Sequence, residues 1–293
     1  MEQLLQILSP DFLLRNAFYA GLIVGFVCPQ VGIFFVLRRM ILLGIALPQV
    51  SNAGVAFAFL LHTLGLHFFR HIESEKVMAL TGSVVFTLFT IFVLAILERR
   101  RKGFAENRIG FTYAIAGAVS ILFVSWNPYG KSEVLSMLTG EIISIPDIYL
   151  WSMLAIYGTI FIVLIGFHRN FVLVSYDIDM ATTIGKKVIL WDIMLYLIIG
   201  IIISFGVMTV GPLVIFGFLL IPPVAARMVT RGILLFCFVS SIIGVVASFA
   251  GFYISYHFDL PTGPTDVALL CVILMLTYLG KILSRLKIFR DKR

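Results

Sequence analysis

The chain has 293 residues, of which 60% are hydrophobic and 13% charged, against roughly 45–50% and about 25% in a soluble domain. That much apolar surface cannot be hidden from water. The composition therefore excludes a soluble domain, a disordered chain, a coiled coil and a secreted disulfide scaffold, and leaves an all-α integral membrane protein.

A membrane-crossing helix takes about 20 mostly apolar residues. Runs of that kind fall near 14–37, 48–66, 77–97, 109–126, 149–167, 188–206, 210–226, 232–256 and 267–284. They predict a polytopic fold of eight to nine transmembrane or membrane-embedded helices, forming a single domain over 1–293. Gly206, Gly211, Pro212 and Gly217 crowd the seventh run and Pro222-Pro223 end it. That segment is left between a full crossing and a broken or re-entrant one, which is tolerated only where protein or a cavity covers the backbone. The stretch from Met1 to Asp11 carries two acids and no base, which argues against a cleaved signal peptide. Cys28, Cys237 and Cys271 sit singly in apolar runs and read as small hydrophobes.

The net charge of +7 sets topology and not nucleic-acid binding. With the N-terminus outside and the C-terminus cytoplasmic, all but Arg15, Arg70, Lys76 and Lys131 of the 22 Lys and Arg lie on the cytoplasmic side. The outer side then carries acids, among them Glu73, Glu75, Asp147, Asp259 and Asp266, either a cation-concentrating vestibule or a solvated rim. The longest inner connection, His168 to Lys187, is too short to fold alone. The chain contains no Gly-x-x-x-x-Gly-Lys-Ser/Thr phosphate loop, so any ATP hydrolysis belongs to another polypeptide and no cofactor is expected on this one.

Few polar groups interrupt the runs. Gln49, Ser51 and Asn52 form a cluster in the second run; they mark a solute path or serve helix capping and close packing. His67 and His71, four apart, suit metal capture, with Phe68, Phe69 and Arg70 beside them reading as an interfacial belt. Asp192 is placed to pair with Lys186 or Lys187 at the inner boundary. An intramembrane enzyme would need a nucleophile–base pair or a His-Glu-x-x-His motif, and neither is present. A passive channel is the third class.

Five stretches, in order over nearly the whole chain, resemble the membrane permeases of ABC importers for zinc, manganese and iron. They are Val36-Leu37-Arg38-Arg39-Met40 running on to Ser51, Gly54, Val55 and Ala56; Glu133 to Gly140-Glu141; Ser175-Tyr176-Asp177-Ile178-Asp179-Met180-Ala181 with Gly185; Val210-Gly211-Pro212 to Pro222 and Ala225-Ala226-Arg227; and Phe258-Asp259-Leu260-Pro261-Thr262-Gly263-Pro264. The resemblance implies a transport subunit in the bacterial cytoplasmic (inner) membrane, not an enzyme. Its implied partners are a cytoplasmic ATPase, an extracytoplasmic solute-binding protein and a second permease copy or homologue. It also implies an ATPase-coupling segment at Pro222, Pro223, Val224, Ala225, Ala226, Arg227 and Arg231, a short amphipathic turn after a proline-stopped helix, with Asp177 and Asp179 on the same inner surface.

The family carries Gly-Asp-x-x-x-His in its second helix, a carboxylate and an imidazole on one helical face. Here those positions are Ile45 and Gln49. Isoleucine cannot ligate, and a neutral amide is a poor zinc ligand that can still hydrogen-bond a solute. Three accounts follow: a metal passes without a strong site, a heterodimeric partner carries the ligands, or the solute is not a bare metal ion.

Overall fold

The computed structural model describes residues 14–63, 75–99, 105–126 and 146–290. Their helices are α1 (Arg15–Leu37), α2 (Ile41–Thr63), α3 (Glu75–Arg99), α4 (Ala105–Ser125), α5 (Asp147–Gly166), α6 (His168–Tyr176), α7 (Ile178–Thr183), α8 (Val188–Val210), α9 (Pro212–Val229), α10 (Ile233–Phe258) and α11 (Thr262–Arg290). Nine of these described helices are long and apolar enough to cross a membrane. Helices are the form such a chain must take, because each backbone N–H and C=O then finds a partner inside its own segment.

The bundle is layered from a closed centre to an apolar rim. In α2, 72% of the crossing stretch is buried, against 11% in α11. The core joins Phe34 and Leu47 to Ile202, Phe218 and Leu219 of α8 and α9. The rim helices α4, α5 and α11 turn Phe111, Ile121, Trp151, Ile162 and Met275 outward. Lipid tails are as apolar as leucine, so such side chains gain nothing by being hidden.

Two sequence expectations fail at prolines. The seventh run is neither broken nor ended at Pro222-Pro223: α9 continues through both prolines to Val229 and keeps them buried. Likewise α2 begins at Ile41, not at 48, and carries Pro48 inside it. A proline strips the carbonyl four residues earlier of its helical donor, and at Pro223 and at Pro29 of α1 a neighbouring helix covers that loss. The Leu219 carbonyl, orphaned by Pro223, lies against Gly32 of α1, and a Cβ at Gly32 would collide with it. The Gly25 carbonyl, orphaned by Pro29, lies in the same way against Gly244 of α10. Weak Cα–H donors thus face the unpaired oxygens at close range. Between α8 and α9 the chain turns at Gly211, with φ 87 and ψ 159, a conformation essentially reserved for glycine. Pro212 then opens α9 at its first position.

All three cysteines are free, with Cys28 buried, Cys237 half-buried and Cys271 on the exposed rim.

Candidate functional site

The polar cluster of α2 splits between two faces. Ser51 is fully buried, and its hydroxyl lies 2.6 Å from Ser83 Oγ of α3, which donates to the Ser204 carbonyl of α8 at 3.3 Å. One turn on, Gly54 meets Gly82 of α3 backbone to backbone. This face is a three-helix seam, and the Ser51 hydroxyl is spent within it.

Ile45 and Gln49, a turn apart, lie on a different side and are half-buried. Gln49 Nε2 reaches toward α4, 3.4 Å from where a Cβ on Gly117 would stand. Asn52, three residues further, is 7% exposed, and its Oδ1 has no hydrogen-bond donor among the described residues. A buried unsatisfied amide oxygen is costly unless something visits it. Ile45, Gln49 and Asn52 thus form one stripe whose oxygen atoms are neutral, while Ser51 stands apart from it. Among the described residues no group of three or more His, Cys, Asp or Glu is arranged to hold a metal ion. His67 and His71, and the Glu133–Glu141 stretch, lie outside the described residues.

The α1–α2 turn is locked. Arg38 Nη2 donates to Asp192 Oδ1 at 2.6 Å, its Nε donates to Ser175 Oγ at 3.1 Å, and its guanidinium stands 5.4 Å from the Tyr196 ring centre. Among the described residues Asp192 therefore pairs with Arg38 and not with Lys186 or Lys187, because the turn after α1 delivers a forked cation to it. Arg39 sits at φ 58, in the left-handed region.

Beside this lock lies a cleft of about 750 Å³ lined by Arg38, Arg39, Tyr176, Asp177, Asp179 and Arg227. Asp177 caps α7, its Oδ1 accepting the Met180 N–H at 2.8 Å. The short helix then presents Ile178, Met180 and Ile184 to the outside, with Tyr176 just before it. Asp177, Asp179 and Arg227 line this one cleft together.

The segment at 222–231 is built differently from that reading. Ala225 and Ala226 are fully buried, as are Pro222 and Pro223; the small side chains let α9 pack near Ile33 and Phe236 of its own chain. Within the segment only Arg227 and Val229 of the last turn and Arg231 just beyond it are exposed, and Arg227 lies 5.8 Å from the Phe236 ring. The exposed apolar residues of α7 were missed. Their signal was an Asp cap followed by Ile178 and Met180 in an otherwise polar loop.

The outer rim also needs a correction. Asp147 bonds the Asn16 amide at 2.8 Å, but Asp266 is 4% exposed and packed on Gly251. It is an internal carboxyl of the bundle and not part of a solvated edge.

The family model "ABC 3 transport family" matches residues 11–281. Among similar curated proteins, the manganese import system permease protein ScaB of Streptococcus gordonii is 24% identical over 95% of this chain and 95% of its own. A probable iron transport system membrane protein of Haemophilus influenzae is 25% identical over 95% of this chain and 93% of its own. Among solved structures, PsaBC from Streptococcus pneumoniae in complex with Fab superposes with a TM-score of 0.79 at 22% identity, over 94% of this chain and 95% of that one; the likeness is one of fold. With a match running from before α1 into α11, the chain belongs to the ABC 3 transport family, as a multi-pass transport subunit and not an enzyme.

Proposed function

We propose that this chain is the membrane-spanning permease of an ATP-driven importer for a divalent transition metal (manganese, iron or zinc), delivered by an extracytoplasmic binding protein. It works in the bacterial cytoplasmic membrane as a pair of permease chains. The N-terminus is outside and the C-terminus is cytoplasmic, with the ATP used by a separate subunit. The observation that carries this reading is the stripe on α2. Ile45 and Gln49, the positions of the family's Asp and His, are half-buried on a helix otherwise closed into the core.

The stripe offers amide oxygens in place of a carboxylate and an imidazole. Such a path passes an ion without trapping it, which suits a transporter that must release its cargo. The ATPase docks on the cleft surface, where exposed α7 supplies apolar anchors and Arg39, Arg227 and Arg231 supply cations able to meet carboxylates.

The test is co-expression with a neighbouring ATPase and reconstitution in lipid. The two chains are expected to co-purify, and ATP turnover to rise with metal-loaded binding protein. Met180→Asp is expected to remove that stimulation while leaving the permease folded. Uptake of none of the three metals, with ATPase coupling intact, would point to a different solute; no ATPase partner at all would overturn the reading.

A further inference from the structure

A second concavity, of about 670 Å³, lies between α1, α5, the start of α6 and α10. Its walls are aromatic and aliphatic, with Phe26, Phe34, Phe161 and Phe238 among them. The polar groups on its floor satisfy one another. Gln30 Nε2 donates to the Cys237 carbonyl at 2.9 Å and to Ser241 Oγ at 2.6 Å, and Ser241 donates to the Phe26 carbonyl at 2.9 Å. What remains is an apolar slot. It opens sideways, because Ile165, Leu234 and Phe238 of its lining are exposed at the bundle surface.

One end of the slot has the opposite character. The α5–α6 joint, Gly166 to Asn170, forms its mouth, and among the described residues no acid lines the groove. Arg169 is exposed there and Asn170 half-buried. Burial lowers the pKa of His168 from its ordinary value of 6.5, so Arg169 supplies the cation at neutral pH. The first turn of α6 holds no acid and no side-chain cap, and because only one residue separates it from the end of α5 the charge of the mouth rests on Arg169 and not on a helix dipole.

We propose that this groove holds one anionic phospholipid, its acyl chain in the Phe26–Phe161–Phe238 slot and its phosphate on Arg169 and Asn170. The phase beside a sideways-opening groove in a membrane helix bundle is acyl chain. The acid-free cationic mouth selects a negative headgroup, as basic pockets between membrane helices do. A free anion would leave the apolar slot unused. The inference rests on the proposed orientation, which puts the mouth at the cytoplasmic leaflet, but not on which solute the permease carries.

Native mass spectrometry of the detergent-solubilised assembly, titrated with phosphatidylglycerol and with phosphatidylcholine of the same chains, tests it. The wild type is expected to retain one phosphatidylglycerol per chain in preference to phosphatidylcholine. One cation near a membrane surface contributes about 1 kcal/mol, so Arg169→Gln is expected to reduce that preference about fivefold. Gly166 lines the mouth and a Cβ there meets nothing within 4 Å, so Gly166→Leu is expected to fold, to crowd the mouth and to lose the bound lipid. Equal retention of the two lipids, an unchanged preference in Arg169→Gln, displacement by inorganic phosphate alone, or loss of the lipid when two permease chains associate would each overturn the proposal. Lipid retention is read without flux or ATP turnover, so its failure is separate from failure of the transport reading.

Discussion

The two sides of α2 are made from similar residues and do opposite things. On one, Ser51 and Gly54 close against Ser83 and Gly82, with the Ser51 hydroxyl shared within the seam. On the other, Ile45, Gln49 and Asn52 stay half-buried or keep an amide oxygen without a donor among the described residues. Polarity alone does not mark a path through a membrane protein. What distinguishes the second side, and supports the proposed path, is a half-exposed amide at Gln49 one turn from a buried amide oxygen at Asn52 that finds no donor among the described residues.

The contrast breaks most completely at the seam. A side chain at Gly54 would run into the Gly82 carbonyl, and overpacking of this kind costs about 1–3 kcal/mol or more. Gly54→Leu is therefore expected to abolish monodisperse protein in size-exclusion chromatography, whatever metal is present. The path side is sharpened by restoring the family's ligands. Ile45→Asp with Gln49→His is expected to convert a passing stripe into a retaining one. Purified protein should then hold manganese or zinc by elemental analysis where the wild type holds none, and uptake should slow.

Smaller effects separate the hydroxyl from the amide. Ser83→Ala removes both buried hydrogen bonds of that hydroxyl and is expected to destabilise by about 1–2 kcal/mol in thermal melts. Gln49→Ala should stay within about 0.5 kcal/mol of wild type while changing flux. The smallest effect is at His168, half-buried at the α5–α6 joint. Its pKa is lowered in the folded state by burial, so the folded protein binds fewer protons than the unfolded chain. Stability should fall slightly as pH drops through 6.5, the ordinary value, and His168→Gln should remove that dependence.

Much of this was legible in sequence. The crossings follow from composition and length. Helical phase alone would also have parted Ser51 from Gln49, since two residues along a helix point to nearly opposite sides. The misread features are tertiary. Pro223 stays inside α9 with its orphaned Leu219 carbonyl covered by Gly32, far away in the chain. Asp192 finds Arg38 across 154 positions and not the lysines a few residues away. No local window contains either partner.

Cysteine accessibility in the assembled transporter addresses the division of α2 most directly. In a background where Cys28, Cys237 and Cys271 are replaced, Gln49→Cys and Ser51→Cys are exposed to a hydrophilic thiol reagent during ATP turnover. Cysteine at position 49 should be modified, and transported metal should slow that modification, while cysteine at position 51 stays unreacted. Equal labelling at both positions, or labelling at 51 alone, would contradict a path that runs along the Gln49 face.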